Sequence, residues 1–237
     1  MKKPRIDYAL YLVTDRPLAG SRALEDIVRE SIRGGVTVVQ LREKHAATGE
    51  FIRLAMALRQ VASEFNVPLI INDRVDVALA CEADGVHLGQ EDMSCSTARR
   101  IVGNKMIIGV SVSTREEARQ AEDEGADYLG AGPVFATPTK ADASPPTGLA
   151  GLREIRRATR IPLVAIGGIN SGNAADMVGH GADGIAVVSA IISSPDPGRA
   201  ARELRDAVRT AGCGKPYGEN RKDSLLPGVT PTNPGSV

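Results

Sequence analysis

Tryptophan is absent from this chain of 237 residues, and three phenylalanines and four tyrosines bring the aromatic share to only 3%. With 42% of residues apolar, a sizeable core has to be assembled from Val, Ile, Leu and Ala. That is the composition of a parallel sheet covered by helices on both faces. Cysteine is scarce as well: Cys81, Cys95 and Cys213 are odd in number, far apart and in no CxxC spacing. This excludes a disulfide framework or a thiolate zinc site and fits a reducing, cytoplasmic setting. No charge of either sign is in excess, because Lys plus Arg and Asp plus Glu both stand at 29. A global field for nucleic acid or an anionic membrane is therefore missing, and any anion must be bound locally. No run approaches the ~18 apolar residues of a membrane span. Lys2, Lys3 and Arg5 lead into Asp7 rather than into the apolar stretch of a signal peptide.

What the chain does have is alternation. Short apolar runs read as strands at residues 8–14, 36–42, 68–72, 85–88, 106–111, 128–131, 163–166 and 184–188. Segments of helical period follow them at 21–33, 48–65, 75–81, 96–102, from Thr114 onward, and at 149–159, 173–178 and 197–211. Thr48 is placed to cap its helix, above a stripe of Phe51, Leu54, Ala55 and Leu58. Thr114-Arg115-Glu116-Glu117 has the pattern of a capping box. Ala83-Asp84-Gly85, Ala126-Asp127-Tyr128 and Ala182-Asp183-Gly184 repeat one helix-to-strand turn, with Gly125 and Gly181 ahead of two of them. Eight alternations with a recurring turn predict a (β/α)8 TIM barrel rather than a doubly wound sheet, as one catalytic domain over 1–211. Residues 212–237 carry nine Gly or Pro in 26 positions and no apolar period, and are expected to form a flexible tail.

In such a barrel chemistry sits where strands end. Gln40, Arg42 and Lys44 occupy alternate positions, so an extended strand puts all three on one side. Two cations and an amide there form either a solvated, charged strand end or an anion site, and a planar guanidinium beside a mobile ammonium suits phosphate oxygens. Asn72-Asp73 ends the third strand, Asp92 follows the fourth, and Ser111 ends the fifth. Asp73 and Asp92, on neighbouring strands, either share a magnesium ion or act as helix caps or turn residues. Gly167-Gly168 after strand seven, with Val188 and Ser189 after strand eight, fit the position of a backbone phosphate site. The loop with Thr137, Pro138, Thr139 and Lys140 is long enough to act as a lid. His87, inside a strand, reads as an interior hydrogen-bonded residue, His45 and His180 as loop or surface residues. No nucleophile paired with a histidine is evident.

These pieces together resemble the thiamine-phosphate synthase family over about 8–197. The resemblance rests on Tyr11-Leu12-Val13-Thr14-Asp15, Gln40-Leu41-Arg42-Glu43-Lys44, Ile71-Asn72-Asp73-Arg74, Gly85 to Gln90 with Asp92, Gly109-Val110-Ser111, Gly132 to Phe135 with Thr137 to Lys140, Ile166 to Ile169, and Val188 to Ile191. It implies that an aminopyrimidine diphosphate and a thiazole phosphate, or its carboxylated form, are joined to give thiamine phosphate and diphosphate. It also implies roles: Gln40, Leu41, Arg42, Glu43, Lys44, Asn72, Ser111 and Lys140 hold the pyrimidine diphosphate, with Arg42, Lys44, Lys140 and Ser111 catalytic. Asp73 and Asp92 hold magnesium, and Thr137, Pro138, Thr139, Gly168, Val188 and Ser189 hold the thiazole phosphate. The expected partners are these small molecules, without nucleic acid or membrane and with homo-oligomerisation left open. A thiazole tautomerase would need only the thiazole half, and the 40–44 run with Asp73 and Asp92 speaks against it. A non-catalytic precursor-binding barrel would tolerate loss of Lys140 and the aspartates, which are present.

Overall fold

Every strand residue but two, Ser111 and Ile166, is buried. In the computed structural model, which describes residues 6–137 and 145–213, the strands are β1 (Leu10–Val13), β2 (Val38–Leu41), β3 (Leu69–Asn72), β4 (Gly85–Leu88), β5 (Ile107–Val112), β6 (Tyr128–Ala131), β7 (Leu163–Ile166) and β8 (Gly184–Val187). Each lies parallel to the next, and β8 closes onto β1 with Leu10 opposite Ile185. The (β/α)8 barrel follows from the sequence pattern: β-branched runs buried on both faces have to be covered by the helix after each strand. Among the described residues no helix is long and apolar enough to cross a membrane.

Helices α1 (Arg16–Ala19), α2 (Leu24–Arg33), α3 (Thr48–Ser63), α4 (Val75–Ala80), α5 (Cys95–Val102), α6 (Arg115–Asp123), α7 (Gly148–Ala158), α8 (Ala174–Gly179), α9 (Ser189–Ile192) and α10 (Pro197–Thr210) ring the barrel. α3 turns Phe51, Ala55, Leu58, Val61 and Ala62 inward. The capping box of α6 is formed in both directions. The expected Thr48 cap is not: Ala47 holds that position, and the Thr48 hydroxyl accepts from Arg74 Nη2 at 3.0 Å. α1 and α9, at four residues each, are too short to show a period in sequence. Just past α10, Cys213 N donates to Val208 O at 3.0 Å and its thiol to Asp183 O at 2.8 Å.

Strand alternation sorts the core into two layers. Leu12, Val39, Leu41, Ile71, Leu88 and Ile108 face the helices. Tyr11, Val38, Ile70, Tyr128 and Val164 fill the barrel interior. The expectation of a core built from Val, Ile, Leu and Ala therefore holds largely for the outer layer, which also buries Phe51, and fails inside the barrel. Tyr8, Tyr11 and Tyr128 stack at the barrel centre, with ring centroids 4.8 and 5.9 Å from Tyr128. Room for these rings comes from glycine. A side chain at Gly109 would stand 2.1 Å from the Tyr128 ring, and one at Gly130 would stand 3.0 Å from His87.

The recurring Ala-Asp turn is a clamp at the lower rim. Asp84, Asp127 and Asp183 each accept an amide of the preceding strand, from Leu69, Ile108 and Leu163, all at 2.9 Å. Thr37 fills the same place before β2, its hydroxyl accepting from Leu10 N at 3.1 Å. The clamp therefore occurs four times around the barrel, once more than the aspartates alone reveal.

Candidate functional site

The upper ends of the strands surround a cavity of about 640 Å³. Gln40, Arg42, Lys44, Asn72, Asp73, Asp92, Ser111, Thr137, Gly168, Val188 and Ser189 all line it. Leu41 and Glu43 do not, because the two-residue strand period turns them outward. Leu41 is fully buried in the outer core. Glu43 pairs with Arg16 Nη2 at 3.1 Å, and burial pushes its carboxyl above the ordinary range. Pro138, Thr139 and Lys140 lie outside the described residues.

Arg42 is held by its backbone, whose N–H donates to the buried Thr14 hydroxyl at 3.1 Å. Its guanidinium lies 3.7 Å from Asp15 Oδ2, and the residue lines the cavity. Lys44 Nζ donates to Asp73 Oδ2 at 2.6 Å. Asp73 sits on left-handed backbone at φ +63°, a strained conformation for a residue with a side chain. Asp92 Oδ2 accepts from Gly89 N at 2.7 Å. Neither aspartate caps a helix, since Arg74 and Ser94 occupy the N-cap positions of α4 and α5. Asp92 does close a turn, and that part of the modest reading is real.

The two carboxylates face one another. Burial first, and the Asp73 carboxyl second, push the Asp92 carboxyl above its ordinary value. Two acids brought together against that cost fit a hard divalent cation, which is commonly held by one or two carboxylates with phosphate oxygens and water completing its shell. No group of three or more His, Cys, Asp or Glu side chains that could hold a metal ion exists among the described residues. The donor set therefore suits a cation shared with an anionic substrate rather than a closed protein site.

Across the opening, Gly167 and Gly168 take φ +100° and +65°, and a Cβ on either would strike the segment Pro133–Ala136 at 2.8 Å or less. Asn173 Nδ2 holds Gly168 O at 3.0 Å. This glycine pair therefore turns tightly beneath the loop after β6 and exposes backbone beside Val188 and Ser189.

Several lining groups received no ligand role in the sequence reading, although Tyr11, His87 and Gln90 lie within its motifs. Tyr11 and Tyr128 reach the cavity floor, and burial raises both hydroxyls well above their usual range. His87 is interior, as expected, and hydrogen-bonded to Tyr128 and Ser111. Gln90 Nε2 holds Ser111 O at 2.6 Å. The available signal was glycine inside strands, at 109 and 130, which marks close approach of a large group.

The chain is similar to known proteins over most of its length. A family model described as thiamine monophosphate synthase matches residues 10–191. A thiamine-phosphate synthase of Chloroflexus aurantiacus is 56% identical over 203 residues, covering 86% of this chain and 94% of that protein. One from Syntrophomonas wolfei subsp. wolfei is 54% identical over 199 residues, covering 84% and 95%. Among solved structures, the thiamine phosphate pyrophosphorylase from Pyrococcus furiosus superposes with a TM-score of 0.80 at 45% identity, over 87% of this chain and 98% of that one.

Proposed function

The chain belongs to the thiamine monophosphate synthase family, a family of transferases in thiamine biosynthesis, and we propose that it joins 4-amino-2-methyl-5-(diphosphooxymethyl)pyrimidine to a thiazole phosphate or its carboxylated form. The bond between the pyrimidine methylene carbon and the diphosphate oxygen breaks, and diphosphate leaves with the electron pair. The thiazole nitrogen supplies the pair for the new carbon–nitrogen bond, giving thiamine phosphate; with the carboxylated form the carboxylate also leaves as carbon dioxide, and the electron pair it leaves on the ring carbon takes up a proton.

One observation carries this reading: a cationic and acidic cluster on β2–β4 faces a glycine-built backbone site on β7–β8 across a single cavity. Arg42 and Lys44 would meet the charge that grows on the leaving oxygen, which is electrostatic catalysis in a partly enclosed site. Lys140 would join them. Gln40, Asn72 and Ser111 would orient the pyrimidine half. Gly168, Val188 and Ser189, with Thr137, Pro138 and Thr139, would hold the thiazole phosphate so that its nitrogen lies in line with the methylene carbon. Asp73 and Asp92 would hold magnesium, which when bound neutralises diphosphate charge and makes it a better leaving group. No covalent enzyme intermediate is required. A cytoplasmic setting agrees with three cysteines that form no disulfide.

The test is incubation of the purified full chain with both substrates and magnesium, followed by chromatography for thiamine phosphate. Product supports the reading. Absence of product, or rearrangement of the thiazole alone, overturns it.

A further inference from the structure

Five side chains cross the barrel interior from β2 to β5, in a line that begins and ends at the cavity. Gln40 Nε2 stands 2.8 Å from Tyr11 Oη, and Tyr11 Oη stands 2.7 Å from Tyr128 Oη. Tyr128 Oη lies 2.9 Å from His87 Nδ1, and His87 Nε2 lies 2.9 Å from Ser111 Oγ. Tyr11 and Tyr128 are 1% exposed and His87 8%, so none of the three can exchange its partner for water cheaply. Each hydroxyl has one proton to give, and a neutral imidazole gives from one nitrogen and accepts at the other. With a neutral imidazole and each hydroxyl proton kept within the line, the direction of one bond sets the direction of the others.

The Gln40 amide faces Tyr11 with its N–H, and the consequences run in order. The Tyr11 proton goes to Tyr128 Oη, and the Tyr128 proton goes to His87 Nδ1. His87 then carries its proton on Nε2 and donates it to Ser111 Oγ. The Ser111 proton is left to point into the cavity. Turning the Gln40 amide over reverses every bond: Ser111 then donates to His87 and offers the cavity only lone pairs. A doubly protonated His87 is compatible only with that turned amide.

We infer that this line is a positioning device for Ser111. It places the donating proton of the His87 imidazole on Nε2 and aims the Ser111 hydroxyl proton at an anionic or lone-pair-bearing group of the ligand. Tyr11, Tyr128 and His87 act through Ser111 and are positioning residues. High tyrosine pKa values keep both phenols protonated throughout the working pH range, as the relay requires. The interior glycines at 109 and 130 are what let the phenol and imidazole rings meet.

The kinetic arm of the test rests on the function proposed above, and the spectroscopic arm does not. Long-range proton–nitrogen correlation of the ¹⁵N-labelled full chain, free of ligand at pH 7.5, reads the tautomer of each of the three histidines, with His87→Asn assigning the signal. The expected pattern is neutral with the proton on Nε2. Gln40→Glu replaces a donor by a group that only accepts, so it should move the proton to Nδ1. Tyr128→Phe should abolish the strong Nε2 preference. With both substrates it should lower kcat about tenfold while KM for the pyrimidine diphosphate stays within about threefold, the scale of one lost hydrogen bond. Combined with Ser111→Ala it should add little, because both act through one hydroxyl. A wild-type His87 that is doubly protonated or carries Nδ1–H overturns the inference, as does a Gln40→Glu spectrum with an unchanged tautomer. A wild-type chain that makes no thiamine phosphate but shows the Nε2 tautomer would sink the proposed function and leave the relay standing.

Discussion

Asp127 and Asp73 stand at opposite rims of one barrel, and the chain treats them in opposite ways. Asp127 is met by donors: Arg99 Nη2 at 2.6 Å and Ile108 N at 2.9 Å. Arg99 in turn reaches the carbonyls of Gly103, Met106 and Gly125. Asp183 repeats the scheme with Arg156, which also binds the carbonyls of Thr159 and Ile161. At the upper rim Asp73 pairs, among the described residues, with Lys44, but it faces a second acid, Asp92, from a strained backbone. The lower rim closes its electrostatics within the protein, which is what a device for holding strands together requires. The upper rim, among the described residues, keeps two acids and two cations around an open cavity, which is where function is expected in this fold.

The comparison breaks most visibly if the upper aspartates prove dispensable. Asp73→Ala and Asp92→Ala should each lower kcat/KM by roughly 10²–10³, the scale of losing one preorganised electrostatic element. Thermal unfolding of each variant should stay close to that of the parent. Near-normal magnesium-dependent turnover in both would remove the functional half of the contrast.

Asp127→Ala should behave in the reverse manner. It strips Arg99 of its carboxylate and Ile108 of its acceptor, at a cost of about 2–3 kcal/mol for half-buried partners. Urea unfolding should register that loss while kcat is retained in the folded fraction. Asp84→Ala is a smaller version: Asp84 clamps Leu69 but has no arginine partner among the described residues. About 1 kcal/mol is expected there. An Asp84 effect as large as that of Asp127 would mean that the arginines contribute nothing.

The two rims were not equally legible in the sequence. Strands β4, β6 and β7 end where the apolar runs do, and the alternation of Gln40, Arg42 and Lys44 placed all three in the cavity because a strand has a period of two. The same period argues against Leu41 and Glu43, which a contiguous motif includes and the barrel turns away. The lower clamp was half visible: three Ala-Asp turns repeat, but Thr37 performs the task with a hydroxyl and no local pattern marks it. The tyrosine floor was hidden by composition, since a count of four tyrosines says nothing about three of them converging. Convergence of that kind depends on strand register, such as Gly109 opposite Tyr128, which is settled by the closed sheet and not by neighbours in sequence.

The smallest expected effect separates the rims by sign. The Asp92 carboxyl lies above its ordinary value because burial, and then Asp73, disfavour its charge. A group raised in this way contributes stability while it is protonated, and loses that contribution as pH rises through its folded value. At neutral pH without metal the ionised Asp92 therefore weighs against folding. Asp92→Asn keeps an oxygen for the Gly89 amide and removes the charge. In chelator at pH 7.5 it should melt about 1–2 °C above the parent, with the gap closing as pH falls below the usual aspartate range. Magnesium should then stabilise the parent more than the variant, because it binds the folded form through the missing charge. The same substitution at Asp127 should lower the melting temperature at pH 7.5, since Arg99 is left facing a neutral amide. Two Asp→Asn changes shifting stability in the same direction would show that the rims do not differ electrostatically as their geometry requires.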